Sequence, residues 1–75
     1  MDDKKLFRIS DVAKMFRVST GTLRHYEKAG LLCPEHTDQE TGYRYYSVRQ
    51  FEVLNTIRYL RALDLPLDEI AEFLH

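Results

Sequence analysis

The apolar positions of the 75-residue chain change period twice, and the changes divide it into elements. From Ile9, the residues Ile9, Val12, Ala13 and Phe16 fall at i, i+3, i+4 and i+7, the signature of a helix with one buried face. Ser10 and Asp11 suit its first turn, where unpaired N–H groups favour oxygen and negative charge. Arg17-Val18-Ser19 then reads as a tight turn. The stretch from Thr20 to Leu32, TGTLRHYEKAGLL, predicts a second short helix with Ser19 as N-cap and Gly30 as the left-handed C′ residue. Its apolar edge, Leu23, Tyr26 and Ala29, is thin, so the helix must dock on other elements to be stable. Gly21, Arg24, His25 and Lys28 project elsewhere, with Arg24 and Lys28 one turn apart on a cationic stripe.

Beyond Gly30 the helical period stops. Leu31-Leu32-Cys33-Pro34 reads as a short strand closed by proline, Glu35 to Gly42 as a polar turn, and Tyr43-Arg44-Tyr45-Tyr46 as a second, aromatic strand. Together they predict a two-stranded hairpin leaning on the helices. A third helix is expected from Ser47, with a capping box Ser47-x-x-Gln50 and a buried edge of Phe51, Leu54, Ile57 and Leu60. It should end near Leu63-Asp64. Pro66 opens a fourth helix, whose apolar face is Leu67, Ile70, Ala71 and Leu74. Ahead of all this, residues 1–7 are a charged lead with a short extended piece at Leu6-Phe7. The expected class is mainly α: a helix-turn-helix within about four helices and a two-stranded hairpin, filling residues 1–75 as one domain.

Charge modifies this picture. The net charge is −1, yet all 11 Lys and Arg lie between Lys4 and Arg61, with only six of the 12 acids among them, a local balance of +5. The local field decides whether a polyanion is attracted. One cysteine, Cys33, excludes an internal disulfide framework and a C-x-x-C motif, and reads as a small half-buried residue. No cluster of His, Cys and carboxylates at ligand spacing and no nucleophile–base pair stands out, so neither a metal, a cofactor nor catalysis is expected. No stretch approaches a membrane span, and a soluble cytoplasmic protein is expected. The second helix, with guanidinium, imidazole, ammonium and phenol groups, reads as a DNA recognition helix.

ISDVAK, VSTGTLRHYEKAGLL, P…TGYRYYS and IRYLRALDLPLDEI, in that order, resemble the DNA-binding domain of the MerR family of bacterial transcription regulators from about Phe7 to Leu74. The resemblance implies a helix-turn-helix followed by a wing, two further helices around a second wing, and a dimerising coiled coil beyond them. It also implies a mechanism in which a homodimer binds a palindromic promoter element and distorts it for RNA polymerase. On this chain it assigns DNA contact to Arg24 and Tyr26, and to Arg44, Tyr45 and Arg61 chiefly at phosphates. Thr22, His25 and Lys28 complete the candidate set. His25 departs from a tyrosine common in the family, and Asp64 stands where glycine is usual. The chain stops at His75, so the dimerisation helix and any effector domain are expected to be absent, leaving a monomer or weakly associating piece. The GYRYY wing is more like multidrug-sensing and thiostrepton-type members than metal-sensing ones.

Plainer roles compete at several positions. Tyr43 or Tyr46 suits the core, whereas Tyr45 on the opposite strand face suits contact. Arg58, Lys14 and Arg17 suit a solvated surface, and Lys28 suits the dipole at its helix end. Two other functions keep the fold or the surface: an excisionase-type architectural DNA-binding protein, and a protein-interaction module working through Leu67, Ile70 and Leu74.

Overall fold

A computed structural model describes residues 5–74; the charged lead before Lys5, and His75, lie outside the described residues. The order is β1 (Leu6–Arg8), α1 (Ile9–Phe16), α2 (Thr20–Lys28), β2 (His36–Thr37), β3 (Arg44–Ser47), α3 (Arg49–Ala62) and α4 (Leu67–Leu74). This is the expected winged helix-turn-helix, with one strand more than the sequence predicted. The antiparallel sheet runs β1-β3-β2. Leu6, Phe7 and Arg8 stand opposite Ser47, Tyr46 and Tyr45, while His36 and Thr37 stand opposite Tyr45 and Arg44.

The first two helices form for the reasons their sequence gives. Val12 and Ala13 are buried on α1, and Leu23 and Tyr26 on α2. Ser19 Oγ accepts the Thr22 N–H at 2.9 Å, so the cap forms as expected. The left-handed Gly30 (φ 78°) ends α2, and the Leu31 N–H returns to the Tyr26 carbonyl at 2.8 Å. Leu54, Ile57 and Ile70 from α3 and α4, with Leu31, Leu32 and Tyr46, complete the core. Phe51 joins it to β1 and to the end of α1, its ring lying 5.3 Å from Phe7 and 5.2 Å from Phe16.

Two local expectations are corrected. Leu31-Leu32-Cys33-Pro34 is not a strand; the partner of β3 in the wing is His36–Thr37. Leu31 and Leu32 are both buried, which strict strand alternation does not allow on a two-faced sheet. The backbone here is bound by a side chain instead: Gln50 Nε2 donates to the Cys33 carbonyl, and Gln50 Oε1 accepts the Glu35 N–H at 3.1 Å. Cys33 itself is exposed rather than half-buried.

The capping box forms only by half. Gln50 Oε1 accepts the Ser47 N–H at 3.1 Å, as the box requires. Ser47, however, is the last residue of β3, is 1% exposed, and donates its hydroxyl to Glu35 Oε1 at 3.0 Å. Tertiary burial took the hydroxyl that the cap would have used, and α3 starts without a side-chain cap. At the other end the Leu65 N–H reaches the Leu60 carbonyl at 3.2 Å across a turn in which Asp64 is left-handed (φ 66°).

Candidate nucleic-acid interface

Docking Leu23 and Tyr26 inward turns the other side of α2 to solvent. Arg24, His25 and Lys28 are exposed there, and Thr22 is half-buried, its N–H and Oγ1 both tied to the Ser19 hydroxyl. Tyr26, expected among the contacts, is 7% exposed and packs in the core with Leu23. The spacing of three from Leu23 had put it on the apolar edge, and that placement is the one observed.

The wing stands beside this face. Arg44 on β3 donates through Nε to Glu27 Oε1 of α2 at 2.6 Å, a half-buried ion pair that ties wing to helix. A charge-assisted bond of this kind is short and directional, and it consumes one of five guanidinium donors. Arg44 and Arg24 thereby border one groove of about 230 Å³, together with Arg8, Ser10, Thr20 and Tyr43. Tyr45, half-buried in the central strand, is flanked across the sheet by Arg8 and His36, with its ring centroid 6.0 Å from that of His36. Arg61 is not part of this grouping. It is exposed at the end of α3, and its Nη1 donates to the Leu65 carbonyl at 2.8 Å, bracing the turn into α4.

The wing tip is held by Asp38. Its Oδ1 accepts the N–H groups of Glu40 at 2.8 Å and Thr41 at 3.2 Å, and these two bonds hold its carboxyl below the ordinary carboxylate range. Tyr46, under the wing, is 1% exposed, and among the described residues its hydroxyl has no hydrogen-bond partner. Burial, reinforced by the Glu27 carboxylate, pushes this phenol up to about 12, so it remains neutral.

Arg8 and Tyr43 were not expected at the site. Arg8 closes a three-residue strand, too short to show a period, and its guanidinium carbon lies 4.8 Å from the centroid of the Tyr43 ring. Tyr43 is 50% exposed and Tyr46 buried, which decides between the two as core residues. Among the described residues no group of three or more His, Cys, Asp or Glu could hold a metal ion, and no helix is long and apolar enough to cross a membrane.

A helix-turn-helix whose exposed second helix shares an arginine-lined groove with a wing defines a winged-helix nucleic-acid-binding module. The chain belongs to the MerR family: the profile described as "MerR HTH family regulatory protein" matches residues 7–75. It is 46% identical over 65 residues to the transcriptional regulator BrlR of Pseudomonas aeruginosa, covering 87% of this chain and 24% of that protein. To the multidrug-efflux transporter 2 regulator of Bacillus subtilis it is 45% identical over 69 residues, covering 92% of this chain and 25% of the relative. A crystal structure of a MerR-family transcriptional regulator from Bacillus cereus superposes with a TM-score of 0.83 at 30% identity, over 93% of this chain and 52% of that one. The chain thus spans about a quarter of the length of these two regulators, and the shared part is the helix-turn-helix domain.

Proposed function

We propose that this chain is the operator-binding part of a transcription regulator, reading double-stranded DNA with α2 and gripping its backbone with the wing. The observation that carries this reading is the exposed Arg24, His25 and Lys28 face of α2 beside a groove bordered by Arg44. Arg24 and His25 supply donors for base edges or phosphates, and Lys28 and Arg44 supply charge for phosphates. Tyr45 offers a phenol from the wing, and Arg61 has guanidinium donors left after binding Leu65. Tyr26 supports the face from within.

The full regulator is proposed to work as a homodimer on a palindromic promoter element, in the cytoplasm, with RNA polymerase as the beneficiary of the distorted DNA. A single module of this size binds with roughly 10⁻⁴–10⁻⁶ M affinity at physiological salt. Joining two copies raises avidity by about 10²–10⁴ without a new contact and fixes the distance between the two α2 helices. If that distance differs from the spacing in relaxed B-form, the duplex must bend or untwist to be held at both ends.

The test selects duplexes on the chain, then measures affinity and bending for the chain and for the chain fused to a dimerising helix. The chain is expected to sediment as a monomer at micromolar concentration, to bind half-sites weakly and to leave them straight. The fusion should bind the palindrome far more tightly and bend it. Equal affinity and bending by both would overturn the dimer mechanism, and no preference for any duplex over random DNA would overturn operator reading.

A further inference from the structure

We propose that the groove between the start of α1, the start of α2 and the wing tip is a seat for one DNA backbone phosphodiester, with Arg8 as its previously unassigned ligand. The proposal rests on the DNA-binding reading above and adds a site to it.

Arg8, Arg24 and Arg44 all line the groove, and no Asp or Glu is among its lining residues. Only Arg44 has an ion-pair partner, Glu27, and that bond uses its Nε. Arg8 and Arg24 form no ion pair among the described residues, so two uncompensated cations stand on the walls of one small concavity. Concentrating like charge in this way is unfavourable unless an anion enters. The remaining lining agrees with a phosphate. Ser10 and Thr20, both hydroxyl-bearing, are among the lining residues. Arg8 occupies the N-cap position of the eight-residue α1 without making a side-chain cap bond, which leaves first-turn N–H groups of α1 available at the same end.

Arg8 is also held ready. Its guanidinium carbon lies 4.8 Å from the Tyr43 ring centroid, and its backbone is fixed by β1 pairing opposite Tyr45. Stacking on an aromatic ring restrains the planar fork while leaving its edge donors free for two parallel bonds to phosphate oxygens. A base edge fits less well, because hydroxyls and helix-end amides on several sides match the oxygens of a tetrahedral phosphate rather than a flat donor–acceptor row.

Binding of the full 75-residue chain to a selected duplex and to random DNA over a range of salt tests this directly. Arg8→Ala should weaken both about tenfold and lower the salt slope by about 0.9, the value for one lost phosphate contact. Arg8→Lys should keep the slope but lose part of the affinity, since a point charge replaces the fork. Tyr43→Phe retains the stacking ring and should stay within about twofold of wild type, whereas Tyr43→Ala should follow Arg8→Ala in affinity but not in slope. Ethylation of one phosphate per half-site should interfere with the wild type and not with Arg8→Ala. An Arg8→Ala variant with unchanged affinity and slope, while Arg24→Ala weakens binding, would overturn this site and leave the DNA-binding reading intact. A wild-type chain that binds no duplex overturns both. Saturable inorganic phosphate binding that Arg8→Ala abolishes, with DNA affinity unchanged, would make the groove a free-anion site and overturn the assignment to DNA.

Discussion

The groove side of the molecule and the corner between α3 and α4 are built from the same kinds of residue and do opposite things with them. On the groove side, arginines converge and the acid Glu27 is spent on orienting Arg44. At the corner the acids Asp64, Asp68, Glu69 and Glu72 are exposed beside Tyr59, Leu63 and Phe73, at 67%, 55% and 68% exposure. A polyanion is drawn to the first surface, whereas the second, Arg61 at the end of α3 apart, meets it with acids and offers apolar area that another protein segment covers well. The near-neutral total charge of −1 is therefore the sum of two specialised surfaces, and it describes neither.

The comparison breaks most severely if charge is moved between the two sides. Arg24→Glu should lower duplex affinity by about a hundredfold or more, because it deletes a contact and adds a repulsion. Asp68→Lys, an equal and opposite change of charge at the corner, should raise affinity by less than about threefold at physiological salt, where charges beyond roughly 8 Å are screened. Fluorescence anisotropy on one duplex reads both. A gain in affinity from Asp68→Lys as large as the loss from Arg24→Glu would mean that total charge, not its placement, governs binding.

A smaller effect has a more informative sign. Glu27 is an acid on the recognition helix, so a purely electrostatic account expects Glu27→Ala to tighten DNA binding. Its bond at 2.6 Å to Arg44 Nε says otherwise. Loss of that bond frees a long side chain and unfastens the wing from α2, and binding should weaken by about threefold to tenfold. Glu27→Gln keeps an acceptor for Nε and should lie between. Folding stability should fall by only about 0.5–1 kcal/mol, as for a partly exposed pair, so urea titration separates the two consequences. Tighter binding by Glu27→Ala would show that Arg44 does not depend on Glu27.

What the sequence disclosed follows the range of the interactions involved. Ser19, Gly30 and the Ile9–Val12–Ala13–Phe16 face act within a turn or two of chain, and the structure has them as read. The errors lie where distant groups compete. Gln50 took the backbone of Cys33 and Glu35, 17 and 15 residues away, and displaced the expected strand to His36–Thr37. Glu35 took the Ser47 hydroxyl from its cap. The partners of Arg44 and Arg8, namely Glu27 and Tyr43, are likewise far away in sequence, so no local signal could distinguish an arginine held in place from one merely solvated.

Two left-handed residues carry the comparison down to its smallest step. Gly30 ends α2 on the groove side at φ 78°, and Asp64 follows α3 at the corner at φ 66°. They serve the same geometry, but only the first is glycine. A Cβ built on Gly30 meets nothing within 4 Å, so Gly30→Ala would suffer from backbone conformation alone, about 1 kcal/mol. Asp64 already carries that cost, softened because aspartate tolerates the left-handed region better than most residues. Asp64→Gly should therefore stabilise the fold, although the greater freedom of glycine in the unfolded chain offsets part of the gain. A net of about 0.5 kcal/mol is expected, which in a domain of this size raises the melting temperature by roughly 2–4 °C. Asp64→Asn, which removes the charge and keeps a side chain suited to this conformation, separates the two causes. If Asn matches Gly, the corner's crowding of acids is what strains it; if Asn gains nothing while Gly does, the strain belongs to the backbone. A destabilised Asp64→Gly would sink the account, because it would mean that the aspartate side chain stabilises the α3–α4 turn by more than its backbone conformation costs.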